Sequence, residues 1–315
     1  MPSLERKLIK AELKQRTEEG CDTTEISSRI EHALVKGDDE ALLLSLYQEL
    51  IDLPIDPDFP YEEPSVLDDI KACRPNAPRK FDIRWEDQQI FDKTLGGWLG
   101  RASGYALGKP VEGWPKSRID QYLSDCKILP LNNYLPFDER ILPAVHKPST
   151  LGNITYMDRD DDMDFPILGL LALEQKGAKI SSRSIANTWI SRMPFGNVYT
   201  AEQVAYRNFV NNVWPPESAS FKNPFREWIG AQIRADIFGY VAPGCPEKAA
   251  ELAFRDAAIS HTKNGIYGEM FVAAMIAAAY VFNDVEDIIS AGLAEIPEHS
   301  RLFEAIRSTQ DWCRD

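Results

Sequence analysis

The chain is poor in cysteine and gives no sign of pairing it: Cys21, Cys73, Cys126, Cys245 and Cys313 are odd in number and contain no C-x-x-C. That scatter excludes a disulfide framework and a cysteine zinc site, and reads as reduced thiols. Histidine is scarce too, four residues in all, and His146 has no His or Cys partner at ligand spacing. Positive charge is short: 35 Lys and Arg stand against 49 Asp and Glu, a formal net charge of −14. Such a balance argues against nucleic acid and anionic membranes as partners. No apolar run is long enough to span a bilayer; the longest, Met270 to Phe282, falls short and is rich in alanine. The opening Met1-Pro2-Ser3-Leu4-Glu5-Arg6-Lys7 has no apolar signal core. These absences give the expectation of a soluble, cytoplasmic chain. What is plentiful is core material, 44% hydrophobic and 10% aromatic over 315 residues, enough for one large domain with a small one or for two medium ones.

Three segments follow. Residues 1–53 read as a small helical unit, with Ile26, Ile30, Ala33 and Leu34 on one face after the capping candidates Thr23 and Thr24. No cluster of reactive residues occurs there, so packing or docking a partner is the expected role. Residues 54–85 carry Pro54, Pro57, Pro60, Pro64, Pro75 and Pro78, which forbid a long helix and indicate a linker wrapping the next domain. Residues 86–315 return to helical patterns, interrupted by an irregular region over 115–155.

Two stretches stand out. In the first, Gly96, Gly100, Gly104 and Gly108 recur every fourth residue on one face of a helix that ends near Gly108, since Pro110 disfavours helical geometry at Lys109. Interior glycines weaken a helix, so this face either packs tightly or lets a ligand approach. Glu112 follows on a loop beside Gly113 and Trp114. The second stretch is Asp158 to Asp164, five carboxylates in seven positions, before an apolar helix with Pro166 in its first turn. It reads either as an acidic helix start supported by the dipole or as a hard-cation site. No EF-hand spacing is present. Arg234 reads as the cation of a helix-end salt bridge with Asp236 or a neighbour, or with Asp236 as a site pair, and His261 on its own as a structural histidine.

Gly100-Arg101-Ala102-Ser103-Gly104-Tyr105-Ala106-Leu107-Gly108-Lys109-Pro110-Val111-Glu112-Gly113 resembles the glycine-rich opening motif of the ADP-ribosylglycohydrolase family, with Tyr105 where the family usually has Asp. Asp160-Asp161-Asp162-Met163-Asp164 is similar to its Thr-Asp-Asp-Thr metal motif, Asp160 and Met163 replacing the threonines. Gly230 to Tyr240, with Arg234 and Asp236, and Ser260-His261 match further family segments in the family's order. The resemblance implies an all-α orthogonal multi-helix fold and a centre of two Mg²⁺ or Mn²⁺ ions. It also implies hydrolysis of the bond joining ADP-ribose to a protein side chain or small molecule. Carried over by position, Asp160, Asp161 and Asp162 are metal ligands, Glu112 and Asp161 catalytic, and Gly108, Gly196, Asn197, Arg234 and His261 substrate-binding. The family's second motif, Asp-x-Asp followed by Thr or Ser, does not occur after Glu295-Ile296-Pro297. The expectation is therefore a C-terminally incomplete domain that holds fewer ions, with a partner protein completing or covering that side. The alternative reading is a non-catalytic ADP-ribose-binding or inhibitory protein of the same fold.

Overall fold

Apolar residues at helical spacing produce helices along the whole described chain, and no strand interrupts them. The computed structural model describes residues 4–36, 40–83 and 85–314. Among these the elements are α1 (Leu4–Glu18), α2 (Thr24–Lys36), α3 (Glu40–Asp52), α4 (Leu67–Ala72), α5 (Asp87–Gly108), α6 (Lys116–Asp125), α7 (Asp161–Lys176) and α8 (Ser182–Arg192). They continue with α9 (Thr200–Val210), α10 (Glu217–Ser220), α11 (Asp236–Tyr240), α12 (Pro246–Ala257), α13 (Lys263–Ala278), α14 (Val285–Leu293) and α15 (Arg301–Arg314), with short 3₁₀ turns between. The one extended pairing described is an isolated antiparallel bridge, Cys21 with Ile55. The fold is all-α, and no described helix is long and apolar enough to cross a membrane.

The chain divides into two compact units, Met1–Ile83 with Pro166–Asp315, and Arg84–Phe165. This differs from the three segments read off the sequence. Residues up to Ile83 group with the C-terminal half, because buried charge ties them to it. Helices α1 to α3 enclose Ile9, Ile26, Ile30, Ala33, Leu43, Leu46, Tyr47 and Leu50, the face expected of α2 among them. Arg226 reaches into these helices, with Nε and Nη2 each 2.9 Å from Glu19 and Nη1 2.8 Å from Glu12. The proline-rich stretch wraps the same unit: Glu62 N donates to His299 O at 2.9 Å, Glu63 pairs with Arg301 at 2.6 Å, and Phe81 N donates to Gly244 O at 2.8 Å. The alanine-rich α12 and α13 form the second core, with Ala250, Ala257, Ile266, Tyr267, Met270 and Ala274 buried together. Backbone approach is closest at Gly239, where an added Cβ would stand 2.9 Å from Ala273 O, and at Gly265, 2.6 Å from Arg226 O.

The smaller unit has its own core of Tyr122, Leu123, Leu135 and Leu142, against which Val111, Trp114, Ile119 and Phe137 pack. Residues 115–155 are not wholly irregular, since α6 occupies their start. Ile119, Tyr122 and Leu123 supply its apolar stripe at helical spacing, Pro115 stands just before its first residue, and the other prolines of the region come later. Lys109 also departs from expectation. It stays helical, φ −49° and ψ −43°, and Pro110 enters a 3₁₀ turn over Lys109–Val111.

Candidate active site

Within Arg84–Phe165 the end of α5 meets the acidic run that opens α7. Asp160 caps α7: its carbonyl accepts from Asp164 N at 2.9 Å, and its carboxylate from Asp162 N at 3.3 Å. The helix thus begins five residues before Pro166, which therefore lies inside it rather than in its first turn. Because Pro166 has no N–H, the carbonyl of Asp162, four residues earlier, lacks its helical donor. Arg101 replaces that donor, with Nη2 2.8 Å and Nε 3.2 Å from Asp162 O. A proline in a buried helix has thereby turned a backbone oxygen toward a guanidinium on α5.

Lys109 is the other cation. Its ammonium lies 2.9 Å from Asp158 Oδ2, 3.2 Å from Asp160 Oδ2, 3.1 Å from Arg159 O and 2.7 Å from Tyr105 Oη. Tyr105 donates onward to Asp158 O at 3.2 Å. Arg159 pairs with Asp164 at 2.6 Å. The run's repulsion is thus answered by Lys109, Arg101 and Arg159. The relief is incomplete at Asp161, whose carboxyl is pushed up to about 7 by burial, then by a hydrogen bond and the charge of Asp160. Asp162 is raised by burial and by Asp160, against the opposing charge of Arg101.

The donors suit a hard divalent ion: all are carboxylates, and the crowding that raises Asp161 is what a cation would relieve. Among the described residues no three acidic, histidine or cysteine side chains already converge as a metal cage. Asp160 faces Lys109, so an ion would share or displace that ammonium.

Glu112 lies exposed one turn beyond Lys109, its N–H directed at Lys109 O at 3.4 Å. Gly113 at φ +73° turns the chain there, and Trp114 anchors the loop edge-on against Tyr122 at 5.9 Å with Arg118 stacked 3.6 Å over it. Gly96, Gly100, Gly104 and Gly108 are exposed, and among the described residues no heavy atom of another element lies within 4 Å of where a Cβ would stand on any of them. The face is open, and Gly104 forms part of a shallow cleft of about 400 Å³ with Leu107 and Leu131 to Tyr134.

The remaining sequence candidates belong to the larger unit. Gly196 and Asn197 form a surface 3₁₀ turn between α8 and α9, Gly196 exposed and Asn197 half-buried. Arg234 and His261 are enclosed, 1% and 0% exposed. Arg234 is bound to Asp256, to Glu202 at 2.6 Å and to Ser260 Oγ at 3.1 Å, with Glu269 3.6 Å away. Ser260 Oγ lies 2.8 Å from His261 Nδ1. Burial, then the neighbouring Arg234, holds His261 neutral far below its usual range. Burial, then Asp256, holds Glu269 protonated well above its own. Here Arg234 and His261 face protein groups, with Glu202 and Asp256 among the ion partners of Arg234.

The reading of the sequence missed Arg101, Tyr105 and Lys109. Their signal was present: four-residue spacing puts a cationic and phenolic stripe on α5 beside the glycine stripe. A sequence profile described as ADP-ribosylglycohydrolase matches residues 86–315. No curated protein and no solved structure matches the chain.

Proposed function

Since the chain belongs to the ADP-ribosylglycohydrolase family, we propose that it hydrolyses the glycosidic bond between ADP-ribose and an acceptor, a protein side chain or small molecule, with a divalent ion at the acidic run. The observation that supports this reading is that Lys109, at the end of the glycine-faced helix and three residues before the exposed Glu112, sits on Asp158 and Asp160 at the start of α7. The absence of any Cβ along 96, 100, 104 and 108 leaves room for a sugar to lie against α5. Glu112 acts as the general base and acid: water attacks the anomeric carbon as the bond to the acceptor breaks, and the proton lost by water passes through Glu112 to the departing acceptor. Asp160, Asp161 and Asp162 would hold Mg²⁺ or Mn²⁺, whose Lewis acidity would orient ribose hydroxyls and stabilise developing charge. Lys109 and Arg101 keep the acidic run folded when no ion is bound.

A second reading is favoured by Lys109: an ammonium already placed on Asp158 and Asp160 suits an ADP-ribose-binding protein that does no chemistry. The deciding experiment measures ADP-ribose release from arginine- and serine-ADP-ribosylated peptides, with Mg²⁺, with Mn²⁺ and with chelator. Metal-dependent release that is lost in Glu112→Gln, with ADP-ribose affinity retained, supports the hydrolase. Binding without release by the wild type supports the second reading, and equal turnover by Glu112→Gln removes the role given to Glu112.

A further inference from the structure

A second cavity lies wholly within the larger unit, lined in part by the two residues that follow Ser260-His261. It measures about 810 Å³, within the range of small-molecule sites, and is bounded by α1, α3, the turn after α10 and the entry to α13. Its charge runs against that of the whole chain. Arg16, Lys222, Arg226 and Lys263 line it, against Glu19 and Glu217 alone. Glu19 is committed to Arg226 at 2.9 Å and Arg16 at 2.7 Å, leaving Lys263 Nζ at 3.9 Å. One wall is apolar, with Tyr47, Ile51 and Phe221, the last 48% exposed.

Lys222 and Lys263 hold left-handed backbone conformations, φ +51° and +45°, which side chains other than Gly, Asn and Asp rarely adopt. Both are lysines and both line this one cavity. Strained residues of this kind gather at ligand-holding positions. Thr262, next to Lys263 in the chain, also lines the cavity, its Oγ1 shielded from solvent and without a hydrogen-bond partner among the described residues.

We propose that this cavity binds a small organic anion, its phosphate or carboxylate head meeting Lys222, Lys263 and the Thr262 hydroxyl and its aromatic or aliphatic body lying on Tyr47, Ile51 and Phe221. The site is independent of the glycohydrolase reading. Because its walls come from α1 and α3 on one side and the start of α13 on the other, ligand binding tightens the N-terminal helices onto the rest of this unit.

Calorimetric titration of the full chain with 1-naphthyl phosphate, 1-naphthylacetate, 1-naphthol and inorganic phosphate tests it. The expected result is saturable binding of one or both naphthyl anions, at least about tenfold tighter than naphthol or inorganic phosphate and weakened by salt. Which anion binds better distinguishes a phosphate from a carboxylate ligand. Lys222→Gly and Lys263→Gly should each lose about tenfold in affinity with an unchanged or raised Tm, since glycine accepts positive φ without strain. Phe221→Ala, at an exposed position, should weaken the naphthyl anions but not inorganic phosphate. The proposal is overturned if no naphthyl anion saturates, if inorganic phosphate binds equally well, or if the two glycine variants together retain wild-type affinity.

Discussion

Lys109→Met removes the ammonium from the acidic run while keeping the length of the side chain. The wild-type lysine is 11% exposed and bonds Asp158, Asp160 and the Tyr105 hydroxyl. A hydrogen bond to a charged group contributes about 1.5–3 kcal/mol net. The two carboxylates stay about one-fifth exposed and regain water, so the expected loss without metal is about 2–3 kcal/mol in all. The same change frees Asp160 for a divalent ion. If the wild type binds Mg²⁺ with a Kd of about 1 mM, then 10 mM Mg²⁺ stabilises it by about 1.4 kcal/mol. A tenfold tighter variant gains about 2.7 kcal/mol under the same conditions. Urea unfolding in chelator and in 10 mM MgCl₂ should therefore show the deficit of the variant shrinking by about 1 kcal/mol when metal is present, with calorimetry giving the tighter Kd directly. An identical deficit in both buffers, with an unchanged Mg²⁺ titration, would refute the competition between Lys109 and metal.

Arg226→Met leaves Glu12 buried without its cation and Glu19 resting on Arg16, and should cost about 3–5 kcal/mol in urea unfolding and expose α1 to limited proteolysis; a loss below about 1 kcal/mol would show that the pairing does not hold those helices. Glu295 is pushed up to about 7 by burial, which outweighs the nearby Arg74 and Arg79. Its folded-state value lies above the unfolded one, so its contribution is full below about 4.5 and is lost as pH rises through about 7, at most about 3 kcal/mol. Subtracting the Glu295→Gln stability profile from that of the wild type should isolate a slope confined to that window, and a flat difference would count against it. Gly100→Ala on the open face should raise stability by about 0.5–1 kcal/mol, whereas Gly239→Ala, with its new Cβ 2.9 Å from Ala273 O, should cost about 1–3 kcal/mol. Thermal unfolding of the pair checks both signs.

The sequence by itself determined the helical class, since apolar residues recur at helical spacing through α2, α5, α12 and α13 and no strand pattern competes. It also determined the family, because the glycine-rich and acidic motifs are contiguous runs whose meaning does not depend on distant contacts. The end of α5 near Gly108 and the start of α12 at Pro246 were legible for the same local reason. What the tertiary structure decided is which charge answers which. The Asp162 carbonyl needs Arg101 only because Pro166 deprives it of a donor, and that need is visible once α5 and α7 are seen together. Arg234 was expected to pair with Asp236 or a neighbour, and burial brings Glu202 and Asp256 to it from other helices, since an enclosed guanidinium must satisfy several donors at once. The glycine stripe of α5 left packing and ligand approach both open, and close backbone contact among the described residues falls at glycines such as Gly239 and Gly265 instead. Spacing along a helix fixes which residues share a face; only the packed chain fixes what, if anything, covers it.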